Sequence, residues 1–149
     1  MSTIQNRRYN TGHARRRGFT LIELLVVLVI LGLLAGLVGP QVMRYVGSSK
    51  TDTARLQIND LSAAMDLYRI DVGSYPSNSQ GLAALVQQPG GVQRWNGPYL
   101  RRNTVPDDPW GRPYHYRFPG EHGPFDIWTN GADGQPGGSG EDQVVGSWQ

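Results

Sequence analysis

The chain has 149 residues, 38% of them from the AVILMFWYC set, with 20 glycines, 10 prolines and no cysteine. That suits one small domain with appendages, and it excludes disulfides and thiolate metal sites. The formal net charge of +2 misleads, because Arg7, Arg8, Arg15, Arg16 and Arg17 stand in the first 18 residues with no acid beside them. Without those five, nine basic residues face twelve acidic ones. A nucleic-acid binder keeps its basic patch in the folded domain, so nucleic acid is not an expected partner.

Residues 1–18 are polar and basic, and Leu24–Gly39 carries no polar side chain. As helix, Phe19–Gly39 extends about 30 Å, enough to cross a bilayer core. The arginines before it should stay in the cytoplasm and the rest of the chain on the far side. Pro40 should kink the helix, since it lacks an N–H and crowds the preceding turn. Gly32, Gly36 and Gly39 add flexibility or allow close approach of a neighbouring helix.

The helical pattern continues past the apolar run. Ala54, Ile58, Leu61, Met65, Tyr68 and Val72 recur at spacings of four and three, a narrow apolar stripe. Lys50, Asp52, Arg55, Asp60, Asp66 and Arg69 fall elsewhere, and Gly73 and Pro76 end the helix. A short second helix is expected over Leu82–Gln87. Strands are expected at Tyr114–Phe118 and Phe125–Thr129, joined by a hairpin loop at 119–124, with weaker candidates at Pro98–Leu100 and Val144–Val145. The expected class is α+β: a long N-terminal helix, first transmembrane and then amphipathic, packed on a small antiparallel sheet.

The segment Arg15-Arg16-Arg17-Gly18-Phe19-Thr20-Leu21-Ile22-Glu23 has two ordinary readings, a secretory signal or a twin-arginine signal. Both place cleavage after the apolar run, and neither accommodates a carboxylate inside it. Glu23 lies five residues into the span. An acid at mid-helix costs on the order of 2.5–3.5 kcal/mol, less near the end, and marks a functional site by default.

Gly-Phe-Thr-Leu-Ile-Glu followed by about twenty apolar residues resembles the class III signal of type IV pilins and pseudopilins. The resemblance implies that a prepilin peptidase cuts between Gly18 and Phe19 and methylates the Phe19 amine. The apolar helix is then retained, and Glu23 pairs with the amino terminus of a neighbouring subunit during assembly. An acid in apolar surroundings needs a cation, and a freshly exposed amine is one.

The likeness extends along the chain. Asp71-Val72-Gly73-Ser74-Tyr75-Pro76, Gln80-Gly81-Leu82, Gly97-Pro98-Tyr99 and Asp108-Pro109-Trp110-Gly111-Arg112-Pro113-Tyr114 resemble the major pseudopilins of type II secretion systems. Asp126-Ile127 through Gly131-Ala132-Asp133-Gly134 resembles their calcium segment. Type IV pilins commonly close a C-terminal loop with a disulfide, and the missing cysteines favour the pseudopilin. Trp110, Tyr114 and Trp128 read most simply as core packing.

By composition alone, Asp133-Gly134 and Glu141-Asp142 around a glycine-rich stretch read as a solvated acidic loop. They lack the alternating acids of an EF-hand, although calcium does favour carboxylates and carbonyls on pliable backbone. The resemblance implies one structural calcium here, with carboxylates from Asp133 and Asp142 and carbonyls from Asn130 and Ala132. Where the family ends this loop Asp-Ala-Asp, this chain reads Asp142-Gln143-Val144, with Glu141 as the neighbouring acid.

No nucleophile elbow, zinc-protease or phosphate-loop motif occurs, and Asp107-Asp108 before Pro109 reads as turn-forming rather than catalytic. The expected organisation is a cytoplasmic leader over 1–18, a transmembrane and assembly helix over 19–42, and a periplasmic globular domain over 43–149. The resemblance implies a non-enzymatic subunit in the bacterial inner membrane. It implies a homopolymeric pseudopilus, assembled with minor pseudopilins on an inner-membrane secretion platform. That fibre would help move folded proteins through the outer membrane as a piston or screw. Two other readings stand beside it: a type IV pilin or minor pseudopilin, and a periplasmic binding protein or enzyme on an uncleaved anchor.

Overall fold

The computed structural model describes residues 18–149, apart from the side chains of a few positions between 40 and 46. Arg15, Arg16 and Arg17, which belong to the expected leader, lie outside the described residues. The chain divides into two compact units, one ending at Pro40 and one spanning Gln41–Gln149.

Helix α1 runs Leu21–Val72, 52 residues, with its assignment continuous through Pro40. It begins at Thr20, whose hydroxyl accepts the Glu23 N–H at 3.2 Å. That is the side-chain cap a helix start requires for its orphan donors. It ends at Gly73, whose φ of +95° turns the chain into the left-handed region while its N–H still reaches Arg69 O at 2.8 Å. A residue without Cβ adopts that geometry at no steric cost.

Within the Gln41–Gln149 unit, Ala54, Ile58, Leu61, Met65 and Tyr68 are buried, and Val72 packs against them. Each of the larger side chains contributes roughly 1.5–3 kcal/mol by leaving water. The stripe covers Tyr75, Leu82, Leu85, Tyr114, Phe125, Ile127 and Val145, which complete the core. Tyr75 folds back on the helix it follows, donating its hydroxyl to Asp66 Oδ1 at 2.9 Å. Its ring meets Phe125 and Phe118 edge-on, with centroids 4.7 and 5.7 Å apart. Edge-to-face packing of this kind adds to the area term.

The sheet described has three antiparallel strands in the order β1 (His115–Arg117), β2 (Asp126–Thr129) and β3 (Val145–Gly146). Tyr116 pairs with Ile127 and Thr129 with Val145. The 119–124 segment joins β1 to β2 as expected, closed by Gly120 N–H on Pro124 O at 3.2 Å. Asn78 clamps the end of β1 by exchanging two hydrogen bonds with the Phe118 backbone, both 2.7 Å.

Two expected elements differ. The second helix is a single 3-10 turn, Leu82–Leu85, in which the Val86 N–H bonds back three residues to Ala83 O at 3.1 Å, and the Gln87 N–H closes on the same carbonyl at 2.9 Å. Pro98–Leu100 forms no strand. Pro98 has no N–H to give, and the Tyr99 N–H is spent on Leu85 O at 2.7 Å.

Candidate functional site

Two regions carry the residues singled out from the sequence. The first is the start of α1. Gly18 and Phe19 precede the helix and are exposed, Phe19 at 90%. The Glu23 carboxylate folds back on Thr20: one oxygen accepts the Thr20 N–H at 2.7 Å and the Thr20 hydroxyl at 2.9 Å. With the return bond from Glu23 N–H to the Thr20 hydroxyl, this is a reciprocal capping box. In the sequence, Thr20-x-x-Glu23 spells this capping pattern. From Leu21 to Gly39 every side chain is exposed, and among the described residues this is the one helical stretch long and apolar enough to cross a membrane. A Cβ placed on Gly32, Gly36 or Gly39 would meet open space.

The second region is the loop between β2 and β3. Asn130 follows β2 directly and gives its side-chain N–H to Gly134 O at 3.3 Å. The Ala132 N–H reaches across to Glu141 O at 2.8 Å, which fastens the two arms of the loop together. Asp133 is exposed, and its Oδ1 accepts the Gln135 N–H at 2.9 Å within its own turn. Asp142 stands in a 3-10 turn, Gly140–Asp142, and is half-buried. Val144 presents an apolar side chain, and its N–H goes to Gly137 O at 3.2 Å. No group of three or more His, Cys, Asp or Glu side chains comes together among the described residues.

Close approach makes Gly131 indispensable here. Its φ is +74°, and a Cβ would fall 2.5 Å from Glu141 O and 2.7 Å from Gln143 O. On the far arm, the Glu141 side chain lies directly against Gly47 of α1, where any Cβ would overlap it.

The neighbouring loop, 107–113, is organised by a buried carboxylate. Asp108 Oδ1 accepts the N–H groups of Trp110 and Arg112 at 3.0 and 2.9 Å, and Oδ2 accepts the Thr129 hydroxyl at 2.5 Å. Asp108 thus shapes a turn, as its place before Pro109 indicated. The Arg112 side chain then crosses to the β2–β3 loop. There its Nη2 donates to Ala132 O at 2.7 Å and to Gly131 O. Nothing in the sequence pattern marks this contact, because it joins positions some twenty residues apart.

Hydrogen bonding and burial perturb several groups on this unit. Burial pushes the Asp126 carboxyl up, but bonds from Glu121 N–H, the His122 ring and His122 N–H outweigh it and hold it below its ordinary value. Burial raises the phenols of Tyr114 and Tyr116, with Asp108 adding to the first and Tyr68 and Tyr75 to the second. These are structural groups; no nucleophile stands beside a base among them.

Comparison with known proteins agrees across both regions. Residues 41–148 match the family described as type II secretion system protein G, and residues 13–39 match the prokaryotic N-terminal methylation motif. Type II secretion system core protein G of Pseudomonas aeruginosa is 49% identical over 138 residues, covering 90% of this chain and 96% of that protein. Its namesake from Vibrio cholerae is 42% identical over 137 residues, covering 90% and 92%. The crystal structure of the major pseudopilin from the type 2 secretion system of enterohaemorrhagic Escherichia coli matches with a TM-score of 0.59. It is 32% identical and covers 71% of this chain and 92% of that one. With a continuous apolar-to-amphipathic helix, a small antiparallel sheet and these matches along nearly its whole length, the chain belongs to the type II secretion system protein G family.

Proposed function

We propose that this chain is the major structural subunit of a type II secretion pseudopilus. The observation that carries the reading is the Leu21–Gly39 stretch, apolar on every side and exposed, with a single carboxylate at Glu23 near its start. A surface of that kind is stable only in lipid or against copies of itself. The open flanks of Gly32, Gly36 and Gly39 give neighbouring helices room to approach.

On this reading a prepilin peptidase cuts the leader between Gly18 and Phe19 and methylates the new amine. The subunit rests in the inner membrane as a single-pass protein with residues 43–149 in the periplasm. In that state Thr20 satisfies the Glu23 carboxylate locally. During assembly Glu23 exchanges Thr20 for the amino terminus of a neighbouring subunit. An ion pair in a low dielectric is far stronger than one in water, so it fixes the axial step between subunits. The homopolymer, started with minor pseudopilins on the inner-membrane platform, drives folded proteins across the outer membrane. The role is structural and not enzymatic.

The test is the intact mass of the protein extracted from native membranes, with fragmentation from the N-terminus. A chain starting at methylated Phe19 is expected. A chain still carrying Arg15–Arg17, or one cut beyond Gly39, would return it to the anchored or secreted class.

A further inference from the structure

The β2–β3 loop is held by a closed circuit of hydrogen bonds. The Gly131 N–H donates to the Thr129 hydroxyl at 3.3 Å, and that hydroxyl donates to Asp108 Oδ2 at 2.5 Å. Asp108 Oδ1 accepts the Arg112 N–H at 2.9 Å, and the Arg112 guanidinium returns to Gly131 O and Ala132 O. Asp108 and Thr129 are both buried, and the Asp108 N–H also bonds Arg112 O at 2.7 Å. The arginine is therefore anchored at its backbone and committed at its side chain.

We propose that the Arg112 guanidinium is the cation that closes this loop, so that this chain folds its β2–β3 region without calcium. Two carbonyls turned toward one positive group is the arrangement a hard cation would otherwise receive. Arginine supplies a charge that is never lost, with directional donors in place of a coordination sphere. Its Nη1 also lies where a Cβ on Gly134 would stand, 2.5 Å away, so the guanidinium fills the space beside the turn.

Two of the four residues implied for calcium already have an oxygen engaged. Ala132 O already accepts from Arg112, and a divalent ion sharing it would face a guanidinium at close range, which like charges oppose. Asp133 Oδ1 is engaged by the Gln135 N–H, and the Val144 side chain brings no oxygen. Calcium takes six to eight oxygens, so each oxygen already engaged elsewhere weakens a site here. A consequence is that a fibre of this chain keeps its heads folded where external calcium is scarce. The inference concerns the head alone and stands whether or not the fibre reading does.

The experiment is thermal melting of the full chain in detergent, in calcium chloride and in chelator, for the wild type and Arg112→Gln. The wild-type Tm is expected to be the same in both buffers, and Arg112→Gln to melt about 4–8 °C lower in both, as loss of ~1 kcal/mol gives for a domain of this size. A wild-type Tm that rises with calcium overturns the proposal, and so does an Arg112→Gln Tm equal to wild type. If Arg112→Gln does not fold, Arg112→Lys keeps the charge but loses the fork. It is expected to fold with a lowered Tm that calcium leaves unchanged; a Tm raised by calcium in that variant overturns the proposal equally.

Discussion

Thr20 and Glu23 cap each other across the first turn of α1, with the Thr20 N–H and hydroxyl converging on one carboxylate oxygen at 2.7 and 2.9 Å. The bond satisfies an acid that faces lipid in the proposed membrane state, and it leaves that acid free to change partners. Glu23→Ala is expected to be processed normally yet to yield no fibres. Processing is read from the mass of the membrane-extracted protein and assembly from electron microscopy of sheared fractions. Normal fibres from Glu23→Ala would remove the role given to this residue.

The amphipathic half of α1 separates core from surface sharply. Leu61 is 1% exposed and Leu67, six residues on, is 52% exposed. Leu61→Ala should therefore destabilise the head by about 2–5 kcal/mol, as large-to-small core changes do. Leu67→Ala should stay within about 0.5 kcal/mol of wild type. Denaturant unfolding of the two variants checks this, and equal losses would contradict the described burial.

Two glycines of the β2–β3 loop share a positive φ but differ in surroundings. Gly131 is hemmed in by the carbonyls of Glu141 and Gln143, whereas Gly137, at φ +99°, has nothing near its missing Cβ. Gly137→Ala should cost only backbone strain, on the order of 1 kcal/mol. Gly131→Ala adds a collision with backbone that cannot swing aside, so its Tm should fall further. A Gly137→Ala protein that melts below Gly131→Ala would reverse the assignment.

Acid should weaken the head through Asp126. Its pKa is lowered on folding, so its contribution is complete above the ordinary aspartate value of about 3.9 and is lost as pH falls through the lower folded value. Asp126→Asn should flatten the acid limb of a stability–pH curve while leaving the 119–124 turn less firmly held. An unchanged acid limb would show that the carboxylate is not a stabilising acceptor.

Alkali should act through the buried phenols. Tyr114 and Tyr116 have raised pKa values in the fold, so their stabilisation is complete below the ordinary tyrosine value of about 10 and is lost as pH rises. Tyr116→Phe loses the bond to Pro76 O, 2.8 Å in the native protein. It should cost about 1 kcal/mol at neutral pH and shift the alkaline transition upward. Both are read from one series of melts.

Several parts of this protein follow from local pattern in the chain. A sixteen-residue stretch without a polar side chain, Leu24–Gly39, can only be buried in lipid or protein. The four-three spacing from Ala54 to Val72 can only be one face of a helix. Gly73, the strands around residues 115 and 127, and the turn-forming Asp108 were legible for the same reason, because each depends on its near neighbours. Tertiary structure decided what depends on residues far apart in the chain. Tyr99 spends its N–H on Leu85 O, which removes the Pro98–Leu100 strand. Asn78 clamps Phe118 from forty positions away. Arg112 reaches Ala132 because buried Asp108 holds its backbone in place and β2 brings the loop to it. No periodicity encodes such a contact, since a long side chain can reach any carbonyl the fold presents, and only the packed core settles which one that is.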